Sequence, residues 1–260
     1  MRENRLLKTL KTSHAINAWL SIPSSYSAEI VSHCKADAVT VDLQHGMTEF
    51  SDAVTMLQAI STTSATPLVR PGSCDMAQIM HLLDAGAYGV ICPQVDNPDI
   101  ARDVVAACKY PPAGKRSFGP SRGLLYGGAD YFEYANSEIL VIVMIESKEA
   151  VENLDGILAT PGVDGIYIGP NDLSLAYGFE PHSDPQGEVG RIIEDIRVKT
   201  HARNLITGIF CSDGVMARRR LDQGFQIVTP GSDAAILRSS YALQVDAARG
   251  TESMTGGVGY

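Results

Sequence analysis

The chain has 260 residues, 45% of them hydrophobic and 20% charged, with a formal net charge of −9. This is enough apolar sequence for one large core and is an ordinary size for a single α/β barrel domain. The acidic balance argues against a nucleic-acid surface or an anionic membrane as partner, since neither attracts a chain of like sign. A small anionic ligand held by a few local arginines stays compatible with it. Cys34, Cys74, Cys92, Cys108 and Cys211 are an odd number without C-x-x-C spacing. That favours reduced, mostly buried thiols over a disulfide framework or a zinc site. The opening MRENRLLKTLKTSH lacks the apolar centre of a signal peptide, and no apolar run approaches the roughly 20 residues of a membrane span. The expectation is a soluble, cytoplasmic protein.

Eight short apolar runs recur along the chain: AINAWLSI, AVTVDL, TPLVR, YGVICPQV, ILVIVMIE, DGIYIGP, LITGIF and FQIVTP. Several are continuously apolar, as parallel strands buried on both faces must be. Segments of helical period separate them. Asp75 is placed to cap MAQIMHLL, and Asn97 to cap a helix whose first residue is Pro98. In that helix Ile100, Ala101, Val104, Val105 and Cys108 share one apolar face. SKEAVENLDGILA repeats the pattern with Ala150, Val151, Leu154, Ile157 and Leu158, and Ser212 is placed to cap DGVMARRRL. Eight strand–helix alternations predict a (β/α)8 TIM barrel over residues 1–250, a single domain, with a doubly wound open sheet as the alternative. The longest interruption, YPPAGKRSFGPSRGLLYGGADYFEYANSE, reads as a functional loop. Residues 251–260 read as a disordered tail.

In such a barrel the chemistry sits at the carboxyl ends of the strands. The second run ends in Asp42, Gln44 and His45, the third in Arg70, the fourth in Gln94 and the fifth in Glu146. The sixth runs into GPNDLS, with Asn171 and Asp172. Each residue alone has an ordinary explanation: a surface histidine, a paired arginine, a helix cap. An ionised carboxylate closing LVIVMI nevertheless needs a cation or several donors, and all of these groups fall on one face of the predicted barrel. Glu146 and Asp172 offer oxygen only, which suits Mg²⁺ or Mn²⁺. Arg70 offers a planar fork for a carboxylate or enolate oxygen, and His45 an imidazole suited to moving a proton near neutral pH. Lys115, Arg116 and Arg122 form a second basic cluster, readable as a solvated loop, an anion grip or lid over the site, or an intersubunit contact.

The stretches VDLQHG, PLVRP, CPQVDN, PPAGKRSFGPSR, VMIESKEAVENLDGI and GVDGIYIGPNDLS together resemble the HpcH/HpaI aldolase/citrate lyase family over roughly residues 15–240. The resemblance implies a (β/α)8 barrel, a homohexamer built as a trimer of dimers, and a divalent cation (Mg²⁺, Mn²⁺ or Co²⁺). The reaction it implies is cleavage or formation of 4-hydroxy-2-oxo acids, to or from pyruvate and an aldehyde, through a pyruvate enolate. By position, Glu146 and Asp172 would ligate the metal, His45 would be the base and Arg70 would stabilise the enolate oxygen. The backbone at Asn171 and Asp172 would receive the carboxylate, and Asp84 would raise the basicity of the histidine. The predicted topology puts Asp84 near the opposite end of the barrel. Two positions depart from many relatives: Gln44 replaces a glutamate, and Met144 replaces a substrate-contacting glutamine. The other route to such a carbanion, a lysine Schiff base, is disfavoured because no lysine falls within a predicted strand. Competing readings are a citrate-lyase-like or acyl-CoA lyase, a phosphoenolpyruvate-handling barrel, and a non-catalytic binding or assembly barrel.

Overall fold

The computed structural model describes residues 1–250. Eight parallel strands close into a barrel in chain order: β1 (Ala15–Leu20), β2 (Ala38–Asp42), β3 (Thr66–Arg70), β4 (Gly89–Cys92), β5 (Leu140–Ile145), β6 (Gly165–Ile168), β7 (Ile206–Cys211) and β8 (Ile227–Pro230). Each lies within one of the apolar runs, give or take a residue. Pairing of Ala15 with Ile227 and Ile16 with Val228 joins β8 back to β1 and excludes the open sheet. Strands β2 to β6 are buried along their whole length, as parallel strands between a packed interior and a helical shell should be. The predicted tail, 251–260, lies outside the described residues.

The shell comprises α2 (Ser25–Ser32), α3 (Phe50–Ile60), α4 (Met76–Asp84), α5 (Pro98–Cys108), α8 (Lys148–Glu152), α9 (Leu154–Leu158), α11 (Gly187–Ala202), α12 (Gly214–Asp222) and α13 (Asp233–Arg249). The short α10 (Pro170–Ala176) follows β6 directly, and α6 (Ser121–Gly127) and α7 (Tyr131–Glu138) fill the long β4–β5 connection. Asp75 accepts the N–H of Gln78, and Asn97 those of Asp99 and Ile100, so both predicted caps are in place. Asp213, and not Ser212, caps α12: its carboxylate accepts from Met216 N while Ser212 Oγ donates to it. A carboxylate is the stronger acceptor and suits the positive end of a helix. SKEAVENLDGILA breaks at Asn153 into α8 and α9, and there the Asn153 amide donates to Asp96 O at 2.9 Å.

Helices α6 and α7 occupy what the sequence reads as a long loop, and one further element has no counterpart in the sequence reading at all. The six-residue α1 (Arg5–Leu10) sends Leu6 and Leu10 into the barrel interior, where they pack with Leu68, Ile91, Leu140 and Ile227. Asn4 caps it and also donates to Tyr88 O and Glu138 O, at the feet of β4 and β5. This end of the barrel is therefore sealed. Above the plug runs a polar layer with its bonds made internally. Asn17 donates to Thr229 Oγ1 and accepts from Thr40 Oγ1, each at 3.0 Å, and Tyr167 donates to Thr229 Oγ1 at 2.6 Å. Pairing these groups removes the cost of burying them.

Candidate active site

At the carboxyl ends of the strands an open cleft is lined by Trp19, Arg70, Met144, Tyr167, Gly169 to Asp172 and Phe210. It combines one fixed cation, apolar walls and an acid at the rim, the pattern expected of a small-ligand site.

Arg70 is only 4% exposed and is held as a fork. Its Nε donates to Asp42 Oδ1 at 2.7 Å and its Nη2 to Asp42 Oδ2 at 2.5 Å. β2 and β3 place this pair by register, since Asp42 is directly opposite Arg70. The Trp19 indole N–H donates to Asp42 Oδ2 at 3.1 Å, and the guanidinium carbon lies 4.8 Å from the centre of the Trp19 ring. Tyr167 and Phe210 flank that ring at 5.7 and 5.6 Å. Burial alone would raise the Asp42 pKa, but the bonds and charge of Arg70 outweigh it and the net direction is down. Asp42 is thus an ionised anchor, and it also accepts the backbone N–H groups of Gln44 and His45. That knot shapes the VDLQHG turn. It requires Gly46, where a Cβ would stand 2.2 Å from Asp42 O.

The turn presents His45 at the exposed rim. Gln44 Oε1 is buried without a hydrogen-bond partner. A glutamate in its place would bring a charge to an unsolvated spot, so the neutral amide suits this chain.

Glu146 follows β5 and is 7% exposed. Gln94 N donates to its Oε1 at 2.8 Å, and Gln94 adopts φ 54° to do so, a left-handed conformation uncommon outside glycine. Burial, opposed by that one bond and reinforced by the charge of Asp172, pushes the Glu146 carboxyl up to about 7. Its Oε2 lies 2.9 Å from the place a Cβ on Gly169 would occupy, so only glycine leaves room for the acid. Asp172 stands at the exposed rim, in the first turn of α10 beside Asn171. Met144 is buried under the cleft.

The donors fit a hard divalent cation. Two carboxylates share one corner, and one is desolvated with too few donors of its own, which a cation would relieve. Among the described residues no group of three or more His, Cys, Asp or Glu is placed to hold a metal. Two carboxylates would leave positions for water and ligand oxygens, as a hard, oxygen-binding cation requires. No lysine lies on a strand among the described residues.

Two predicted groups sit elsewhere. Asp84 ends α4, which returns from the mouth to the foot of the barrel, so within one chain its carboxylate is at the end opposite Arg70. There it accepts from Arg116 Nη2 at 2.7 Å. Arg116, fully buried in its side chain, also donates to Tyr131 Oη. Arg122 donates to Ala85 O, Leu57 O and Ser61 Oγ. These two arginines brace the foot; they are neither a solvated loop nor a lid over this chain's own cleft. Lys115 alone is exposed.

A buried acid beside an exposed one, with a clamped arginine, at the mouth of a (β/α)8 barrel marks an enzyme-type site able to stabilise negative charge on a small ligand. The HpcH/HpaI aldolase/citrate lyase family model matches residues 16–240, and the chain belongs to that family. It is 42% identical over 232 residues to a hydroxypyruvate/pyruvate aldolase of Rhizorhabdus wittichii, covering 89% of this chain and 92% of that protein. It is 38% identical to a 4-hydroxy-2-oxo-heptane-1,7-dioate aldolase of Salmonella paratyphi C, over 90% of each chain. Among solved structures, an HpcH/HpaI aldolase/citrate lyase family protein from Burkholderia cenocepacia superposes with a TM-score of 0.89 at 27% identity, covering 95% of this chain and 99% of that one.

Proposed function

We propose that this chain is a divalent-metal-dependent aldehyde-lyase that cleaves or forms 4-hydroxy-2-oxo acids, to or from pyruvate, or a close relative such as hydroxypyruvate, and an aldehyde. The observation that carries it is the arrangement of Glu146 and Asp172 at the same rim as the Asp42-clamped Arg70.

Cleavage breaks the C3–C4 bond of the substrate. The C4 hydroxyl loses its proton and becomes the aldehyde, and the electron pair passes to C3, delocalised onto the C2 oxygen. A divalent cation held by Glu146 and Asp172 would supply positive charge to that developing oxyanion. Arg70 donates to the same oxygen from a side chain already oriented, so no reorganisation is needed as charge grows. The backbone N–H groups at Asn171 and Asp172 receive the substrate carboxylate. His45, at the rim where the C4 end of the substrate projects, takes the hydroxyl proton, and C3 of the enolate then takes up one proton to give pyruvate. Met144 and the rings of Trp19 and Phe210 line the cleft beside Arg70 and shield the C3 side from water. Asp84 would act on His45 only from a neighbouring copy, in keeping with a homohexamer built as a trimer of dimers. Mg²⁺, Mn²⁺ and Co²⁺ all suit two hard oxygen donors. No helix among the described residues is long and apolar enough to cross a membrane, and we place the protein in the cytoplasm.

The test is release of pyruvate from a panel of 4-hydroxy-2-oxo acids. A chelator should abolish it and Mg²⁺, Mn²⁺ or Co²⁺ restore it. Full activity in chelator ends the reading.

A further inference from the structure

Two thiols that take no part in this chemistry lie next to each other behind Glu146. Cys74 is half-buried in the loop between β3 and α4, and Cys92 is the fully buried last residue of β4. Cys74 Sγ approaches Pro93 O, on the residue after Cys92, at 3.0 Å, which sets the two thiols side by side. Pro93 leads directly into Gln94, whose N–H holds Glu146 and whose backbone is already in the left-handed region. Any displacement of Cys92 is therefore carried to the acid through two residues, one of them a rigid ring.

We propose that Cys74 and Cys92 are a modification site: a peroxide converts them to a reversible disulfide, which withdraws the Gln94 N–H from Glu146 and switches the site off. In the first step the Cys74 thiolate attacks one oxygen of hydrogen peroxide and the O–O bond breaks. The displaced hydroxide takes a proton to become water, leaving a sulfenic acid on Cys74. The Cys92 sulfur then attacks the Cys74 sulfur, the S–O bond breaks, and the hydroxide leaves with the Cys92 proton as a second water. Two electrons pass from the two thiols to the peroxide, and a dithiol reductant reverses the change.

The assignment of roles follows from the surroundings. The contact with Cys92 lowers the Cys74 pKa, whereas burial pushes Cys92 well up, so the thiolate forms first on the sulfur that a small oxidant can reach. Burial likewise pushes Cys108 and Cys211 up to about 12, and neither is an attractive target. Cys34 is exposed and would react without a partner in this chain.

The covalent part stands independently of the aldolase reading; only the loss of activity rests on it. The Cys34→Ser protein, treated with a small excess of hydrogen peroxide and then alkylated, should be digested at aspartates. No lysine or arginine separates Cys74 from Cys92, whereas cuts before Asp52, Asp75, Asp84 and Asp96 place them on peptides 52–74 and 84–95. The expected result is a joined pair of these peptides that dithiothreitol separates, with pyruvate release lowered at least tenfold and restored by the same treatment. Cys74→Ser should keep basal activity and resist peroxide; Cys92→Ser should carry its oxidation on Cys74 alone, as sulfinic acid. Unjoined peptides in the oxidised Cys34→Ser protein overturn the proposal whatever the activity does. Joined peptides with undiminished pyruvate release overturn the switch.

Discussion

Glu146→Gln should make the chelator-treated protein more stable while removing its activity. The glutamine keeps an oxygen to accept from Gln94 N, so the hydrogen bond seen at 2.8 Å survives. What changes is the charge. The carboxyl of Glu146 is pushed up from the ordinary 4.5 to about 7, a rise that at about 1.4 kcal/mol per pH unit corresponds to about 3 kcal/mol. A raised carboxyl makes the folded protein hold a proton that the unfolded chain has released. Stability therefore falls as pH rises from about 4.5 to about 7 and is level above that. At pH 8 the variant should exceed the parent by up to about 3 kcal/mol, or roughly 6–12 °C in melting temperature for a chain of this size. At pH 4.5 the two should coincide. Thermal unfolding in chelator across that range, repeated with Mn²⁺, reads this directly, and Mn²⁺ should raise the parent and leave the variant where it was. A variant no more stable than the parent at pH 8 would refute the argument that desolvation without a cation sets the state of this acid.

Gly169→Ala should keep the fold and lose most of the metal response in thermal unfolding, because the new methyl meets Glu146 Oε2 at 2.9 Å. Asp42→Asn leaves the buried Arg70 without its counter-charge; the usual cost of breaking such a pair, about 3–5 kcal/mol, should appear in urea unfolding, and kcat should fall more than KM rises. Arg116→Met should lower the melting temperature and leave KM for the 2-oxo acid unchanged, since this arginine packs between Asp84 and Tyr131 at the foot. A raised KM with intact stability would instead return it to the site.

The strands were legible because parallel strands buried on both faces leave continuous apolar runs, and their polar ends stood out against that background. Glu146 was the clearest, since LVIVMI has no other use for a closing acid. The job of Asp42 was not legible: an acid ending a strand looks the same whether it meets a ligand or an arginine one strand away, and only register decides. Trp19, Tyr167 and Phe210 were hidden for the opposite reason, since apolar residues on a strand do not announce which face of the barrel they line. The α1 plug is too short to show a period. Arg116 and Arg122 were misleading because a basic, glycine-rich stretch reads as solvated until its partners, carbonyls and a carboxylate from other elements, are known. The Ser212 and Asp213 exchange is a one-residue ambiguity between two good caps.

The stopper formed by Asn4, Leu6 and Leu10 leaves the barrel a single doorway. Traffic in both directions must share it. With the ketoacid fragment held against Arg70 as proposed, it would sit deeper than the aldehyde, and the aldehyde would have to go out first. In the synthetic direction the order would invert, the ketoacid entering before its partner.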